Sequence, residues 1–179
     1  MKKRIKIEER IKKFEKVIQV SGDKSISIRC VLLASQAIGK SKIYNLLESE
    51  DVINTLKSIR KLGINYKKFK NYYEINGYGL AGYDTKKKIK IDAGNSGTLA
   101  RLIMGLLIDS KKKVTIVGDN SLSRRDFSRV TEPLKRFGAN IISQKKKLPV
   151  EIKGSEFLRP IKYEEKIGSA QCKSAVMLA

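Results

Sequence analysis

Residues Asn95 to Gly154 read "NSGTLARLIMGLLIDSKKKVTIVGDNSLSRRDFSRVTEPLKRFGANIISQKKKLPVEIKG". A polar start, Asn95-Ser96, opens an apolar helical stretch, "LARLIMGLLI", which Asp109-Ser110 and a run of lysines close. A β-branched strand, "KVTIVGD", follows, and then an amphipathic helix, "DFSRVTEPLKRFG". Its C′ residue is Gly138, the residue type that turns left-handed at little cost. Two strands joined by a lysine-rich turn end the stretch at "VEIKG".

The same order occurs earlier, in "KSISIRCVLLASQAIGKSKIYNLLESEDVINTLKSIRKLGINYKKFKNYYEINGYG", Lys24 to Gly79. Lys24-Ser25 opens "IRCVLLASQAI", Gly39 closes it, "SKIYNL" is the strand and "EDVINTLKSIRKLG" the second helix, with Gly63 at C′. Ser25 to Ser96 is 71 residues, Gly63 to Gly138 is 75 and Gly77 to Gly154 is 77, a drift that loop variation explains. "KIKIDAG" reads as a strand feeding the second start, and "PIKYEEKIGSA" as the corresponding strand feeding a third. Ser169 lies 73 residues after Ser96, so "SAQCKSAVMLA" opens a third unit. The expected fold class is α/β with mixed sheets: β-α-β-α-β-β repeats, two complete units (21–90 and 91–160) and the start of another (161–179). An N-terminal strand or hinge segment is expected over 1–20. The apolar end, Val176 to Leu178, is expected to pack on the first two units and to fray, leaving an apolar patch.

Composition bounds the function. A 41% hydrophobic fraction supplies a core, and no apolar run approaches the ~18 residues of a membrane span. The start "MKKRIKIEERIKKFEK" contains Glu8, Glu9 and Glu15 and has the character of neither a secretory signal nor a transit peptide, so a cytoplasmic location is expected. Cys30 and Cys172 lie in apolar helical patterns and read as reduced buried thiols. With no histidine, His triads, His-liganded zinc and an imidazole base are excluded. The net charge of +21 suggests an anionic partner. Most of the lysine sits between elements, in "YKKFK", "TKKKIK", "SKKKV" and "QKKKL", and reads as solvated loop charge. No aromatic-basic interleaving of the RNA-binding type accompanies it. A specific nucleic-acid partner is therefore not expected.

The three unit starts are helix N-termini led by small or polar residues: Lys24-Ser25, Asn95-Ser96-Gly97-Thr98 and Ser169-Ala170-Gln171. Helix N-termini favour anions, and repeats packed around a common axis would aim all three one way. Arg29, Arg101, Arg124 and Arg125 lie near these starts, and arginine suits bidentate clamping of carboxylate or phosphate. Together they read as a pocket for a small substrate carrying both groups. "SGDKS" fails the nucleotide-binding P-loop pattern, so nucleotide hydrolysis is rejected. Asp51 and Asp92 read as cap or structural carboxylates.

"SGDKSISIR", "SEDVINTL", "DAGNSGTLARL", "GDNSLSRR" and "SAQCKSAVMLA", in this order, resemble the N-terminal half of the 5-enolpyruvylshikimate-3-phosphate (EPSP) synthase family, from about Phe14 to Ala179. The resemblance implies two similar three-unit domains with the active site between them. It implies transfer of the enolpyruvyl group of phosphoenolpyruvate to the 5-hydroxyl of shikimate 3-phosphate, with release of phosphate and without cofactor or metal. By position, Lys24, Ser25, Arg29, Ser169, Ala170 and Gln171 match the shikimate 3-phosphate site, with Arg29 placed for the ring carboxylate and Ala170 offering only its backbone. Lys24, Asn95, Gly97, Thr98, Arg125 and Gln171 match the phosphoenolpyruvate site. The acid–base groups of the family come mainly from a C-terminal domain, so this half holds no assigned catalytic residue. The chain alone is expected to bind shikimate 3-phosphate weakly and to turn over nothing until that domain, or a second chain, supplies the rest.

Departures from the family pattern are Ser21 for Pro, Ile28 for His, and Asp126-Phe127 for Pro-Met. Asp126 beside Arg125 is expected to weaken that clamp, and Gly97 resembles the glyphosate-sensitive form. The sister family acting on UDP-N-acetylglucosamine carries Lys-Asn in place of Lys24-Ser25 and a reactive Cys in the "GDNSLSRR" loop, which here has none. A basic nucleic-acid-binding protein is the non-enzyme alternative.

Overall fold

The computed structural model describes Lys6, Glu8, Lys13, residues 15–80 and residues 82–179. The first unit comprises α1 (Lys24–Gln36), β1 (Ile38–Tyr44), α2 (Glu50–Lys61), β2 (Asn65–Lys68) and β3 (Tyr72–Tyr78). The second comprises β4 (Ile89–Asp92), α3 (Gly97–Gly105), β5 (Val114–Val117), α4 (Asn120–Ser123), α5 (Ser128–Arg136), β6 (Asn140–Ser143) and β7 (Val150–Lys153). The third start is α6 (Ala170–Met177). The short α4, within "GDNSLSRR", is an addition to the expected order.

Each unit folds its strands into one sheet. The first has the order β1-β3-β2, antiparallel throughout, with Tyr44 opposite Tyr72 and Lys68 opposite Tyr73. The second has the order β4-β5-β7-β6, in which β4 and β5 are parallel and the other pairs antiparallel. The repeat is visible in detail at Gly77 and Gly154. A Cβ on Gly77 would lie 2.3 Å from the Ala37 carbonyl oxygen, and one on Gly154 would lie 2.2 Å from the Ser110 nitrogen. In both units the chain at the end of the last strand thus passes directly against the segment that closes the first helix.

The helices share one core. α2 is amphipathic and buries Val52, Leu56 and Ile59, with Gly63 beyond its end at a φ of 87°. α3 is buried on every side except at Arg101, as a helix apolar all round must be, and it packs on α1, α5 and α6. The lysine clusters are exposed, as expected, but not all lie between elements: Lys67 and Lys68 belong to β2 and Lys90 to β4. Cys172 is buried, but Cys30 is only half-buried. No described helix is long and apolar enough to cross a membrane.

The strand expected at "PIKYEEKIGSA" does not form; residues 160–169 carry no ladder. β4 owes its pairing to β5, the strand that follows α3. Among the described residues no strand lies beside 160–169 to play that part. Instead the segment is tied down by side chains: Arg129 of α5 donates to Glu165 at 2.6 Å, and the Tyr163 hydroxyl donates to the same carboxylate. The N-terminal strand or hinge expected over 1–20 falls mostly outside the described residues, and residues 15–20 belong to no strand. Leu178 and Ala179 pack on the core, whereas Met177 is 79% exposed. Met177 borders a groove of about 160 Å³ between α1 and α6, lined also by Leu32, Leu33 and Leu102.

Candidate anion-binding site

The first helix of each unit start is capped by a side chain. Asp23, Ser96 and Ser169 accept from the N–H groups of Ile26, Leu99 and Cys172, respectively. The caps are 73 residues apart in both intervals. Matching Ser25 to Ser96 therefore misjudged the register by two residues. Lys24 is the first helical residue rather than the cap, and Ser25, Thr98 and Gln171 occupy equivalent second positions. Each cap satisfies the third amide and leaves the first two: those of Lys24 and Ser25, Gly97 and Thr98, and Ala170 and Gln171 find no acceptor among the described residues.

The three helix ends point the same way. Gln171 Nε2 donates to Thr98 Oγ1 at 3.0 Å near both N-termini. Further along, a Cβ on Gly105 would lie 2.1 Å from the Ala175 carbonyl oxygen, so α3 and α6 run in contact and parallel. Arg29 donates to Ser174 Oγ at 3.3 Å, and Leu33 shares its groove with Met177 and Leu178, which sets α1 parallel to α6. Three positive dipole ends with unpaired N–H groups thus face one end of the molecule.

Three arginines stand at that end, each held by neutral oxygens. Arg29 donates to the Ser25 carbonyl as well as to Ser174. Arg101 donates to the Gly97 carbonyl at 3.2 Å, to Gln171 Oε1 at 3.1 Å and to the Asp126 carbonyl at 3.3 Å, and it lies 4.8 Å above the buried Phe127 ring. Burial lowers its pKa from the usual arginine value. Arg125, just after α4, donates to Asn95 Oδ1 at 3.1 Å. Among the described residues none of the three forms an ion pair. Other cations are paired: Lys40 with Glu74, Lys68 with Glu48, Lys113 with Glu151 and Arg129 with Glu165. The arginines of the site keep their charge for a ligand.

The structure brings Asn95, Gly97, Thr98, Arg125 and Gln171 together, with Arg101 at their centre. A Cβ on Gly97 would lie 2.7 Å from Arg101 Nη1 and 3.1 Å from Arg125 Nη1, so both guanidinium groups sit over the start of α3. Arg29 joins α1 to α6 on the neighbouring side. Lys24 is turned toward Asp51 of α2, with Nζ 3.0 Å from the carboxylate, and Ser25 and Ala170 are exposed. Ser169 uses its oxygen as a cap. Of the two carboxylates expected to be structural, Asp51 pairs with Lys24 and Asp92 accepts from the Gly94 N–H. The Arg124 side chain makes no hydrogen bond or ion pair among the described residues, though its N–H donates to the Ser121 carbonyl at 3.3 Å. Asp126, expected to weaken the Arg125 clamp, makes no hydrogen bond or ion pair with that guanidinium among the described residues. Asp126 turns its carboxylate onto the Ser128 N–H and hydroxyl, which lower its pKa, and forms no ion pair among the described residues.

Sequence reasoning missed Ser174 and Asp119. Asp119 caps α4, accepting from the Leu122 N–H at 2.7 Å, and accepts from Asn95 Nδ2 at 2.6 Å. A signal was present: "GDKS" at 22–25 and "GDNS" at 118–121 both place Asp where a helix cap belongs. Ser174 lies 145 residues from Arg29 and left none.

The family model for EPSP synthase (3-phosphoshikimate 1-carboxyvinyltransferase) matches residues 8–179. A 3-phosphoshikimate 1-carboxyvinyltransferase of Streptococcus mutans is 43% identical over 164 residues, covering 90% of this chain and 38% of that protein. One of Paracoccus denitrificans is 42% identical over 163 residues, covering 90% of this chain and 37% of that protein. The structure of an EPSP synthase from Acinetobacter baumannii aligns with a TM-score of 0.83 at 35% identity, over 90% of this chain and 37% of that one. The chain spans less than two fifths of the length of these relatives. Repeat, motifs and relatives agree over nearly all of its residues, and the chain belongs to the EPSP synthase family.

Proposed function

We propose that this chain is the anion-holding half of an enolpyruvyl transferase site, which with a second half transfers the enolpyruvyl group of phosphoenolpyruvate to the 5-hydroxyl of shikimate 3-phosphate and releases phosphate. The observation that carries the reading is the convergence of three uncommitted helix N-termini with three arginines bound only to neutral oxygens. Two multiply charged substrates repel one another, and holding both side by side needs this concentration of positive potential before any chemistry.

In this reading Arg29 takes the ring carboxylate of shikimate 3-phosphate. Ser25, Ser169, Ala170 and Gln171 line its phosphate through hydroxyl, amide and N–H groups. Arg125 and the amides of Gly97 and Thr98 take phosphoenolpyruvate, with Asn95 holding the arginine and Gln171 touching both sides. Lys24 reaches either substrate by giving up or sharing Asp51. Protonation of the enol carbon and removal of the hydroxyl proton fall to a C-terminal domain or a second chain. The chain acts in the cytoplasm, and no specific nucleic acid is its partner.

The test combines calorimetry and phosphate release. The 179-residue chain binds shikimate 3-phosphate weakly, Arg29→Ala removes that binding, and turnover begins only when a C-terminal half is added. Steady phosphate release by the chain alone, or binding indifferent to Arg29→Ala, overturns the reading.

A further inference from the structure

Asp119 lies outside the residues matched to either substrate, yet it ends a chain of contacts that reaches one of them. Its Oδ2 accepts from Asn95 Nδ2 at 2.6 Å, and Asn95 Oδ1 accepts from Arg125 Nη2 at 3.1 Å. Its other oxygen caps α4 at the Leu122 N–H, and its own N–H donates to the Gly94 carbonyl at 2.8 Å. Asp119 is therefore pinned to the loop before α3 and to the short helix that precedes Arg125.

The chemistry of the three groups fixes the order. A carboxylate only accepts and a guanidinium only donates, so the amide between them has one orientation that satisfies both. With Nδ2 taken by Asp119, Oδ1 must face Arg125. A carboxylate in direct contact would hold the arginine equally well but would neutralise it. The interposed amide transmits the orientation and leaves the charge free. We propose that Asp119 is a positioning residue for Arg125, acting through the Asn95 amide. The proposal rests on the reading that Arg125 holds an anionic substrate group.

The cap and the relay separate by substitution. Asp119→Ser keeps a competent N-cap, as Ser96 and Ser169 show in this chain, but removes the carboxylate that orients Asn95. Phosphoenolpyruvate is titrated into the 15N-labelled chain in four forms: wild type, Asp119→Ser, Arg125→Ala and the double variant. The relay predicts a loss of about fivefold for Asp119→Ser when Arg125 is present and of less than about twofold when it is absent. The Asn95 side-chain amide resonances should shift in Asp119→Ser. Equal losses in both backgrounds reduce Asp119 to a helix cap and overturn the proposal, as does an unchanged affinity with Arg125 present. Undiminished binding in Arg125→Ala alone sinks the reading of Arg125, and the proposal with it. Should Asp119→Ser melt early, Asp119→Asn, a neutral residue with the same cap geometry, serves in the same cycle with the same expected pattern.

Discussion

Replacing Gly97 with Ala should separate the stability of the chain from its affinity for anions. Gly97 is the first residue of α3 and has no positive φ, so alanine fits its backbone. Removing glycine from such a position restricts the unfolded chain and stabilises by about 0.4–1 kcal/mol. Against this stands the new methyl group, 2.7 Å from Arg101 Nη1, 3.1 Å from Arg125 Nη1 and 3.6 Å from Leu122 Cδ1. Ordinary contact begins near 3.4 Å, so the two guanidinium groups must retreat by roughly 0.7 and 0.3 Å. Both are ends of flexible side chains, and the retreat costs contacts rather than backbone. Arg101 already bonds Gly97 and Gln171 at 3.2 and 3.1 Å, so that shift stretches both bonds past useful length.

The two effects on stability oppose each other and leave the melting temperature within about 2–4 °C of wild type. Affinity has no such compensation. The methyl group occupies the space over the start of α3 and pushes back both guanidinium groups, Arg125 among them. Losing one charge-assisted hydrogen bond of about 1.5–3 kcal/mol weakens phosphoenolpyruvate binding roughly ten- to a hundredfold. Binding of shikimate 3-phosphate, centred on Arg29, should change less than about twofold. Thermal melts and calorimetric titration of each substrate supply the numbers. Undiminished phosphoenolpyruvate binding by a folded Gly97→Ala chain would refute the placement of that site over the start of α3.

Two further substitutions test how the helices are held. Gly105→Ala puts a methyl carbon 2.1 Å from the Ala175 carbonyl oxygen, backbone against backbone, so α6 must lift from α3. A loss of about 1–3 kcal/mol in denaturant unfolding, with faster amide exchange through 170–177, is expected, and wild-type exchange in α6 would count against the packing argument. Glu165 is held below its ordinary pKa of 4.5 by the Tyr163 hydroxyl first and by Arg129 second. A lowered folded pKa stabilises fully above the unfolded value and is lost as pH falls through the folded one. Glu165→Gln should therefore narrow the stability gap to wild type as the pH drops from 6 to about 3, and a constant gap would exclude the ionised carboxylate as the cause. Tyr163, pushed up to about 12 chiefly by burial, has the opposite sign, and stability should fall as pH rises above 10.

The repeat and its three helix starts were legible because each is local: a small polar cap, an apolar period and a closing turn within a dozen residues. The register error at Ser25 arose where two candidates, Asp23 and Ser25, stand close together. The structure decides for Asp23 by its bond to the Ile26 N–H. The missing strand at 160–169 shows the reverse limit. Its composition resembles that of β4, but a strand exists only beside a partner, and among the described residues none lies alongside it. Asp126 and Arg125 mislead in a third way, because adjacent residues need not face each other. One caps the turn into α5 while the other reaches across to Asn95.

What no local pattern carries is the distribution of charge. From composition the excess of +21 looks like a diffuse attraction for polyanions. In the fold, much of the lysine lies in exposed loops, and several of the outlying cations are matched by glutamate. Arg29, Arg101 and Arg125 are ordered by carbonyl, hydroxyl and amide oxygens drawn from as far as 145 residues away. An acidic partner would have ordered them just as firmly and cancelled the field. A charge fixed by neutral ligands is what a small dianion can use, since it meets a rigid donor without first displacing a counterion. That distinction, between charge that is merely abundant and charge that is held unpaired at converging helix ends, is the physical content of the site.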